Sequence, residues 1–295
     1  MAWAGVETRR SAVDGPVRHA GEERACGVRI SGGRRLRDLP WRATRDPWAV
    51  LVAEVMLQQT QAVRAIPAWR AFLTAHPTPA ACAASPLGAV LRQWHGLGYP
   101  RRARNLHDAV QLIVADHGGR VPGSLDALLT LPGIGPYTAR AVLAFAFECD
   151  MAVVDTNIAR LLARTCGRRL TGRQVQALAD ELVPSGAGWV WNQSLMDLGA
   201  TVCRPAPQCG DCPVADRCAW HVAGHPLPDP AAGSAGVSTR QAPYAGSDRQ
   251  RRGAIMAALS KSTGPVPAES FPVEIVDTLV ADRLVVRAGE MLRLP

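Results

Sequence analysis

The chain has 295 residues, 47% of them hydrophobic, which is enough to bury a core in two modest domains or one large one without disulfides. Its net charge of +8 favours a polyanionic partner, with nucleic acid as the first candidate. The sequence has no apolar run long enough to span a membrane and no secretory signal pattern at its start. A cytoplasmic protein with reduced cysteines and no membrane association is therefore expected.

The basic charge comes almost entirely from arginine. Among 33 Lys and Arg residues, Lys261 is the single lysine, and it lies near the C-terminus. The main body of the chain therefore has no amine side chain, which excludes Schiff-base chemistry there.

Apolar spacing predicts an all-α body. Residues 1–35 are rich in Gly, Arg and Ala without periodicity and predict a disordered tail. From residue 36 to residue 220 the apolar residues recur at helical spacing, and Pro and Gly mark most of the joints. The predicted helices span residues 48–59, 64–75, 86–94, 101–117, 124–130, 136–147, 155–166, 173–182 and 188–198.

One acidic residue, Glu54, lies inside the apolar run 51–57. A lone glutamate in such a segment is costly unless it has a partner or a use, and an apolar setting raises a carboxyl pKa. Glu54 is therefore a candidate general acid. The alternative, an exposed glutamate on an amphipathic helix, stays open at this point.

The sequence LPGIG at 131–135 stands between two predicted helices. Its glycines allow a tight turn whose backbone N–H groups approach a phosphate closely. Such a helix-hairpin-helix binds the DNA backbone without reading bases. An ordinary turn between helices is the alternative.

Asp155 follows a short apolar run and opens the next predicted helix. It is either a helix N-cap or a catalytic carboxylate, and the two roles are compatible. Together with Glu54 it provides the pair of carboxyl groups expected on either side of a glycosidic bond. A protonated Glu54 would act as general acid, and an ionised Asp155 would stabilise positive charge.

Four cysteines within sixteen residues have the spacing C-x5-C-x2-C-x5-C, which predicts a metal site. Zinc and a 4Fe-4S cluster both accept four thiolates, so the spacing alone does not choose between them. A chance group of buried cysteines is the alternative. The four residues are Cys203, Cys209, Cys212 and Cys218.

The C-terminal part has a different composition. Residues 221–243 contain several prolines among Gly, Ala and Ser and predict a linker. Residues 244–295 predict a small winged-helix-like module, with a helix-like run at 253–259 and a strand at 284–286. A short docking segment without activity of its own is an equal alternative.

Five motifs follow one another along the chain: EVMLQQT from Glu54, the GLGYPRRARNLH stretch at 96–107, LPGIGPYTAR at 131–140, VDTN at 154–157 and the four cysteines. With these motifs in this order, the chain resembles MutY-type adenine DNA glycosylases over about residues 36–220. The resemblance implies a two-lobed helix-hairpin-helix DNA glycosylase fold with a 4Fe-4S cluster in the loop 203–218. It also implies base excision repair, by hydrolysis of the N-glycosidic bond of adenine mispaired with 8-oxoguanine or guanine.

The resemblance also implies residue roles. Glu54 would protonate adenine at N7 and later help to activate water, while Asp155 would stabilise the sugar cation or trap it covalently. Tyr137 and Asn157 would position these groups by hydrogen bonding. Endonuclease III-type relatives carry their Schiff-base lysine where this chain has Tyr137, so a monofunctional glycosylase is expected.

The partner implied by the resemblance is double-stranded DNA with a mispaired adenine, bound by a monomer. The base must be flipped out because its glycosidic bond is inaccessible in the stack. Leu57 and Gln58 would wedge into the duplex, and Tyr99 would insert beside the opposite base. The residues expected to contact DNA are Leu57, Gln58, Gln59, Tyr99, Leu131, Gly133, Gly135, Arg204 and Arg217.

The chain departs from the family pattern in three ways. Five residues rather than six separate Cys203 from Cys209, Tyr99 is followed by Pro100 rather than by a second tyrosine, and the C-terminal region is short. Three alternatives are a thymine mismatch glycosylase of the same superfamily, a non-catalytic DNA-binding protein of this fold, and a zinc-ribbon regulator. The sequence QQT after Glu54 favours adenine.

Overall fold

The computed structural model describes residues 36–234 and 243–295. The predicted tail, 1–35, and residues 235–242 of the predicted linker lie outside the described residues. Among the described residues, no helix is both long and apolar enough to cross a membrane.

The described residues form a mostly helical protein. All nine predicted helices are confirmed, with ends within three residues of those expected. Two short helices, α3 and α11, had no periodicity by which to predict them. The helices are α1 (Pro47–Leu57), α2 (Ala62–Ala75), α3 (Pro79–Ala83), α4 (Leu87–Gln93), α5 (Arg101–His117), α6 (Leu125–Leu129), α7 (Pro136–Ala146), α8 (Thr156–Thr165), α9 (Gly172–Leu182), α10 (Gly188–Thr201), α11 (Ala219–Val222), α12 (Asp248–Lys261) and α13 (Val273–Ala281).

Polar residues at helix starts determine where several helices begin. The Asp46 carboxylate accepts a hydrogen bond from the Trp48 amide at 3.1 Å and so caps α1. Thr171 and Gln174 form a reciprocal capping box at the start of α9. These side chains satisfy amides that have no partner inside the helix.

Helix α1 lies at the centre of the fold, with every residue from Trp48 to Met56 buried. It packs against α2, α5 and α7, while α8 packs against α9, α10 and α11. Two salt bridges join the start of the described chain to α10, from Arg37 and Arg42 to Asp197, at 2.6 and 2.8 Å. The two groups of helices are thereby held against each other, with α7 in contact with both α1 and α10.

The C-terminal module consists of α12, α13 and a three-stranded antiparallel sheet in the order β1-β3-β2. Its strands are β1 (Val266–Pro267), β2 (Val286–Ala288) and β3 (Met291–Arg293). The strand predicted at 284–286 begins only at Val286. Leu284 and Val285 instead lie in the core directly after α13, buried to 0% and 2% exposure.

The module docks on α5 through Asp282, and its helix α12 packs against α4. This carboxylate pairs with Arg101 at 2.6 Å and with Arg252, while Arg104 donates to the Asp282 carbonyl at 2.6 Å. Burial opposes ionisation, but hydrogen bonds from Arg101 and Arg252 lower the pKa of Asp282 overall. Ion pairing across the boundary therefore fixes the module to the helical body.

Replacing Asp282 by Asn should loosen this docking. The variant leaves two arginines without a counter-charge, and hydrogen bonds to charged groups contribute about 1.5–3 kcal/mol each. The measurement is hydrogen exchange of the Gly88 amide, which donates across the same boundary to the Pro295 carbonyl at 2.8 Å. Relative to its intrinsic exchange rate at each pH, this amide should be less protected in the variant. The unaltered protein should lose the same protection as pH falls through the lowered pKa of Asp282.

The matched control is Asp277→Asn on α13, whose side chain is 64% exposed and lies 3.7 Å from Arg287. Equal exchange of the Gly88 amide in the two variants would show that Asp282 has no special part in docking.

The described end of the predicted linker packs on α8 instead of extending into solvent. Asp229 pairs with Arg164 at 2.6 Å, and Pro230 and Ser234 are buried. The buried guanidinium of Arg164 needs a counter-charge, and Asp229 supplies it. The predicted domain boundaries themselves stay predictions.

Candidate functional site

Glu54 lies on α1 and is only 5% exposed, so the alternative of an exposed glutamate is excluded. Burial and the negative charge of Asp155 raise its pKa to about 8, against the opposing charge of Arg42. Near neutral pH this carboxyl group is therefore largely protonated and can donate a proton.

Asp155 is the N-cap of α8. One carboxylate oxygen accepts from the amides of Asn157 and Ile158 at 2.9 and 2.7 Å, and the other accepts from Asn157 Nδ2 at 2.7 Å. Burial raises the pKa of Asp155, and these hydrogen bonds oppose the rise. The cap role is thus confirmed, and the same bonds hold the carboxylate in a defined direction.

Tyr137 is the second residue of α7 and keeps 36% of its surface exposed. Burial of its phenol, followed by the charges of Glu54 and Asp155, raises its pKa well above the usual range. The structure therefore brings together the predicted residues Glu54, Tyr137, Asp155 and Asn157.

Beyond α1, the chain turns sharply at Gln59, which has a φ of +56°. Gln58 donates from Nε2 to Thr138 Oγ1 at 3.2 Å, and Gln59 is exposed. Leu57, at the end of α1, is half-buried. This turn therefore presents the two predicted wedge residues, Leu57 and Gln58, beside the start of α7.

A buried arginine that the sequence analysis did not identify, Arg102, holds this turn. The Arg102 guanidinium carbon lies over the rings of Trp94 and Tyr99, at 5.4 and 5.7 Å from the ring centroids. Burial lowers its pKa to about 10. Its acceptors come from both the end of α1 and the Gly-rich turn before α5. They are the carbonyls of Val55, Met56, Gln58, Leu97 and Gly98 and the hydroxyl of Thr60, all within 3.1 Å.

We expect Arg102→Met to lower the free energy of unfolding by at least 3 kcal/mol, because it leaves several buried acceptors without a donor at roughly 1–3 kcal/mol each. Thermal denaturation measures this loss, with Arg92→Met, an exposed arginine on α4, as the control. A melting temperature equal to that of the control would contradict the assignment.

Tyr99, the predicted opposite-base residue, has a φ of +49° and is half-buried. Its hydroxyl accepts from Arg249 of the C-terminal module at 3.4 Å, and Arg249 also lies over the ring of Tyr244, 5.4 Å away. The C-terminal module therefore extends to the loop that carries Tyr99.

The predicted hairpin joins α6 to α7. Gly133 has a φ of +76°, and a Cβ there would lie 2.7 Å from the Cβ of Asn105, so only glycine fits. Gly135 precedes α7, whose N-terminus has no side-chain cap and can accept an anion. Leu131 is only 2% exposed, so any phosphate contact there involves its backbone rather than its side chain.

The four predicted cysteine ligands line a single cavity of about 370 Å³, its open mouth included. None of these four cysteines forms a disulfide. Arg164 donates towards the Cys203 sulfur at 3.6 Å, which suits a thiolate. The predicted DNA contacts Arg204 and Arg217 are exposed on the same loop.

The four thiols line one cavity and suit a metal centre, because cysteine thiolates bind both zinc ions and iron-sulfur clusters.

Arg160 connects the cysteine loop to Asp155. It donates to the Cys203 carbonyl at 2.7 Å, to the Gly199 carbonyl at 2.6 Å and to Asn157 Oδ1 at 2.8 Å. Asn157 in turn donates to Asp155. The buried guanidinium thus links the loop, α10 and the candidate carboxylate. Nothing in the sequence indicates this role of Arg160, because most of its acceptors are backbone carbonyls about forty residues away.

Comparison with known proteins shows the family of the chain. Residues 52–185 match the HhH-GPD superfamily of base excision DNA repair proteins. An adenine DNA glycosylase of Mycolicibacterium smegmatis is 40% identical over 270 residues, covering 86% of this chain and 89% of the relative.

Two solved structures have a similar fold. A thermostable thymine-DNA glycosylase has a TM-score of 0.61 at 32% identity and covers 63% of this chain and 89% of its own. An endonuclease III–DNA complex has a TM-score of 0.58 at 24% identity, with coverages of 64% and 89%. The chain therefore belongs to the HhH-GPD superfamily of base excision DNA repair proteins and, within it, to the adenine DNA glycosylases.

Proposed function

We propose that the protein is a monofunctional glycosylase that hydrolyses the N-glycosidic bond of adenine mispaired with 8-oxoguanine or guanine. The observation that carries this proposal is a buried glutamic acid with a pKa of about 8 within electrostatic range of a hydrogen-bonded aspartate. Two carboxyl groups in different environments are the requirement for acid-assisted cleavage of a glycosidic bond.

In this mechanism Glu54 gives its proton to N7 of the flipped adenine. Protonation makes adenine a better leaving group, because the electrons of the glycosidic bond then move into a positively charged ring. After the bond breaks, the Glu54 carboxylate accepts a proton from the attacking water, which restores the acid.

Asp155 carries the negative charge. Its three hydrogen bonds favour the ionised form, whereas burial and the charge of Asp155 keep Glu54 protonated. The carboxylate stabilises the sugar cation that develops as adenine leaves, or traps it covalently. Asn157 and Tyr137 position the carboxylate and the sugar.

The product is an abasic site in an intact strand. Tyr137 stands where a Schiff-base lysine would be needed, and Lys261 lies at the end of α12 in the C-terminal module. Strand cleavage by β-elimination from a protein-bound imine therefore has no amine to begin it.

The DNA is bound through its backbone and opened by the turn after α1. The hairpin at 131–135 and the N-terminus of α7 contact phosphate, together with Arg204 and Arg217. Leu57, Gln58 and Gln59 occupy the space left by the flipped base, and Tyr99 lies beside the opposite base. We propose that the enzyme acts as a monomer at the nucleoid.

The cofactor of the proposed enzyme is a [4Fe-4S] cluster bound by Cys203, Cys209, Cys212 and Cys218. When bound, the cluster would cross-link the loop and so order it, and it would take no part in the base chemistry. The shared cavity and the arginine beside Cys203 support a metal group bound by thiolates, and the similarity to adenine DNA glycosylases favours the cluster over zinc.

A single-turnover assay on three duplexes tests the function. The duplexes carry adenine opposite 8-oxoguanine, adenine opposite guanine, and thymine opposite guanine, each analysed with and without alkali. Strand breaks from the adenine duplexes, seen only after alkali, are expected. Activity confined to the thymine duplex would assign a thymine mismatch glycosylase, and tight binding without product would indicate a non-catalytic protein.

A further inference from the structure

We propose that His221 is a second possible ligand for the metal atom that Cys209 binds, and that it takes the place of Cys209 when that thiolate is absent. The four-cysteine pattern does not include His221. The inference rests on the proposed cluster. His221 lines the same cavity as the four cysteines, and one of its ring nitrogens lies within 4.8 Å of the Cys209 sulfur.

The distances support ligand exchange at this corner. The Cys209 sulfur and ring nitrogens of His221 and His225 all lie within 4.8 Å of one another. A metal atom with bonds of about 2.3 Å to sulfur and about 2.1 Å to imidazole nitrogen separates the two ligand atoms by at most about 4.4 Å. A small movement of either side chain therefore lets His221 take the bond that Cys209 makes.

The turn after α11 holds His221 in position. Gly224 and His225 have φ values of +79° and +61°, which bring the chain back so that His225 Nε2 lies 3.0 Å from His221 Nδ1. The His225 ring packs edge-on against Trp220 at 4.5 Å, and its amide donates to the Trp220 carbonyl at 2.9 Å. A hydrogen bond to one imidazole nitrogen fixes the direction of the other.

Among the four cysteines, Cys209 is the one whose replacement by another ligand is easiest. It follows the shortened five-residue spacing and begins a short 3-10 turn, Cys209–Asp211. By contrast, Cys218 is buried, and the Cys203 carbonyl and sulfur both accept from arginines. Imidazole is an accepted ligand of iron-sulfur clusters, where it replaces thiolate at an iron atom.

The alternative occupant is one zinc ion on Cys209, His221 and His225. That ion would need the Cys209 thiolate that the cluster uses, so both cannot be fully occupied with their ligands intact. The shared cavity favours His221 as part of the cluster site.

Full-length wild type, Cys209→Ala, Cys212→Ala, His221→Ala and Cys209→Ala/His221→Ala, purified without oxygen, test the inference. Iron, acid-labile sulfide and zinc per chain are measured. Cys209→Ala should retain iron within about twofold of wild type, whereas the double variant and Cys212→Ala should lose about tenfold or more. His221→Ala alone should load normally, which separates a ligand role from a structural one.

Mössbauer spectra of the ⁵⁷Fe-loaded Cys209→Ala variant should show one iron site distinct from the others. Iron loss in Cys209→Ala equal to that in Cys212→Ala, or one zinc per chain beside a full cluster in wild type, would overturn the inference. A wild-type chain without iron or sulfide would overturn the proposed cofactor instead, so the two failures are distinguishable.

Discussion

Glu54→Gln should lower the single-turnover rate of adenine release by about 10³-fold, within the range of general acid catalysis. The amide keeps the size of the side chain but has no acidic proton to give to N7. Binding to the mispaired duplex should change little, because Glu54 is buried and is not among the residues proposed to contact the DNA backbone. Rate and affinity are measured separately, by alkaline cleavage and by a duplex-binding titration.

The control for this variant is Glu181→Gln, an exposed residue on α9. A Glu54→Gln protein that is folded, binds the duplex and cleaves at the control rate would remove Glu54 from the chemistry.

The same variant should be more stable than wild type at alkaline pH. Folding raises the pKa of Glu54 from 4.5 to about 8, so the folded state disfavours the ionised form. The contribution of protonated Glu54 to the free energy of unfolding is fully present below pH 4.5 and is lost as pH rises through about 8. Glutamine does not ionise, so the variant should become more stable relative to wild type across this interval. The difference in the free energy of unfolding should reach a few kcal/mol, on the order of 1.4 kcal/mol per pKa unit.

Arg160→Met should impair both stability and catalysis. The change leaves the carbonyls of Cys203 and Gly199 and the amide oxygen of Asn157 without their donor, at roughly 1–3 kcal/mol each. We expect a fall in melting temperature of about 6 °C or more at 2–4 °C per kcal/mol. Asp155 also loses its indirect support, and a carboxylate displaced by about 1 Å costs on the order of 100-fold in rate.

Two further variants sharpen this test. Arg160→Lys keeps the charge but cannot reach all three acceptors, so its rate should be intermediate. Arg173→Met, on the exposed face of α9, should match wild type. A folded Arg160→Met protein with a wild-type rate would show that the link between the cysteine loop and Asp155 does not contribute to catalysis.

The helices could be predicted because their signals are local. Apolar spacing and capping residues such as Thr171 lie within the helices that they define, so element ends agreed with the structure to a few residues. The five-residue α3 has fewer than two turns and hence no period to detect. Leu284 and Val285 have a strand-like composition, but burial behind α13 was decided by tertiary packing.

Residues of the site could be predicted only where the residue type is unusual for its local sequence or marks the start of a helix. Glu54 is an acid in an apolar run, and Asp155 opens a helix, so both stand out in the sequence. Arg102 and Arg160 do not, because each is one arginine among many, and their acceptors are mostly backbone carbonyls brought close by folding. His221 had no signal apart from its neighbour His225.

The most direct test of the central claim is the pH dependence of single-turnover adenine release between pH 6 and 9.5, at saturating enzyme. With Glu54 as the acid, the rate should fall as pH rises through about 8, by about tenfold per unit beyond it. Tyr137 stays protonated over this interval because its pKa is raised well above the usual range, so it cannot produce the decline. A rate that is constant to pH 9.5 would contradict the assignment of Glu54 as the proton donor.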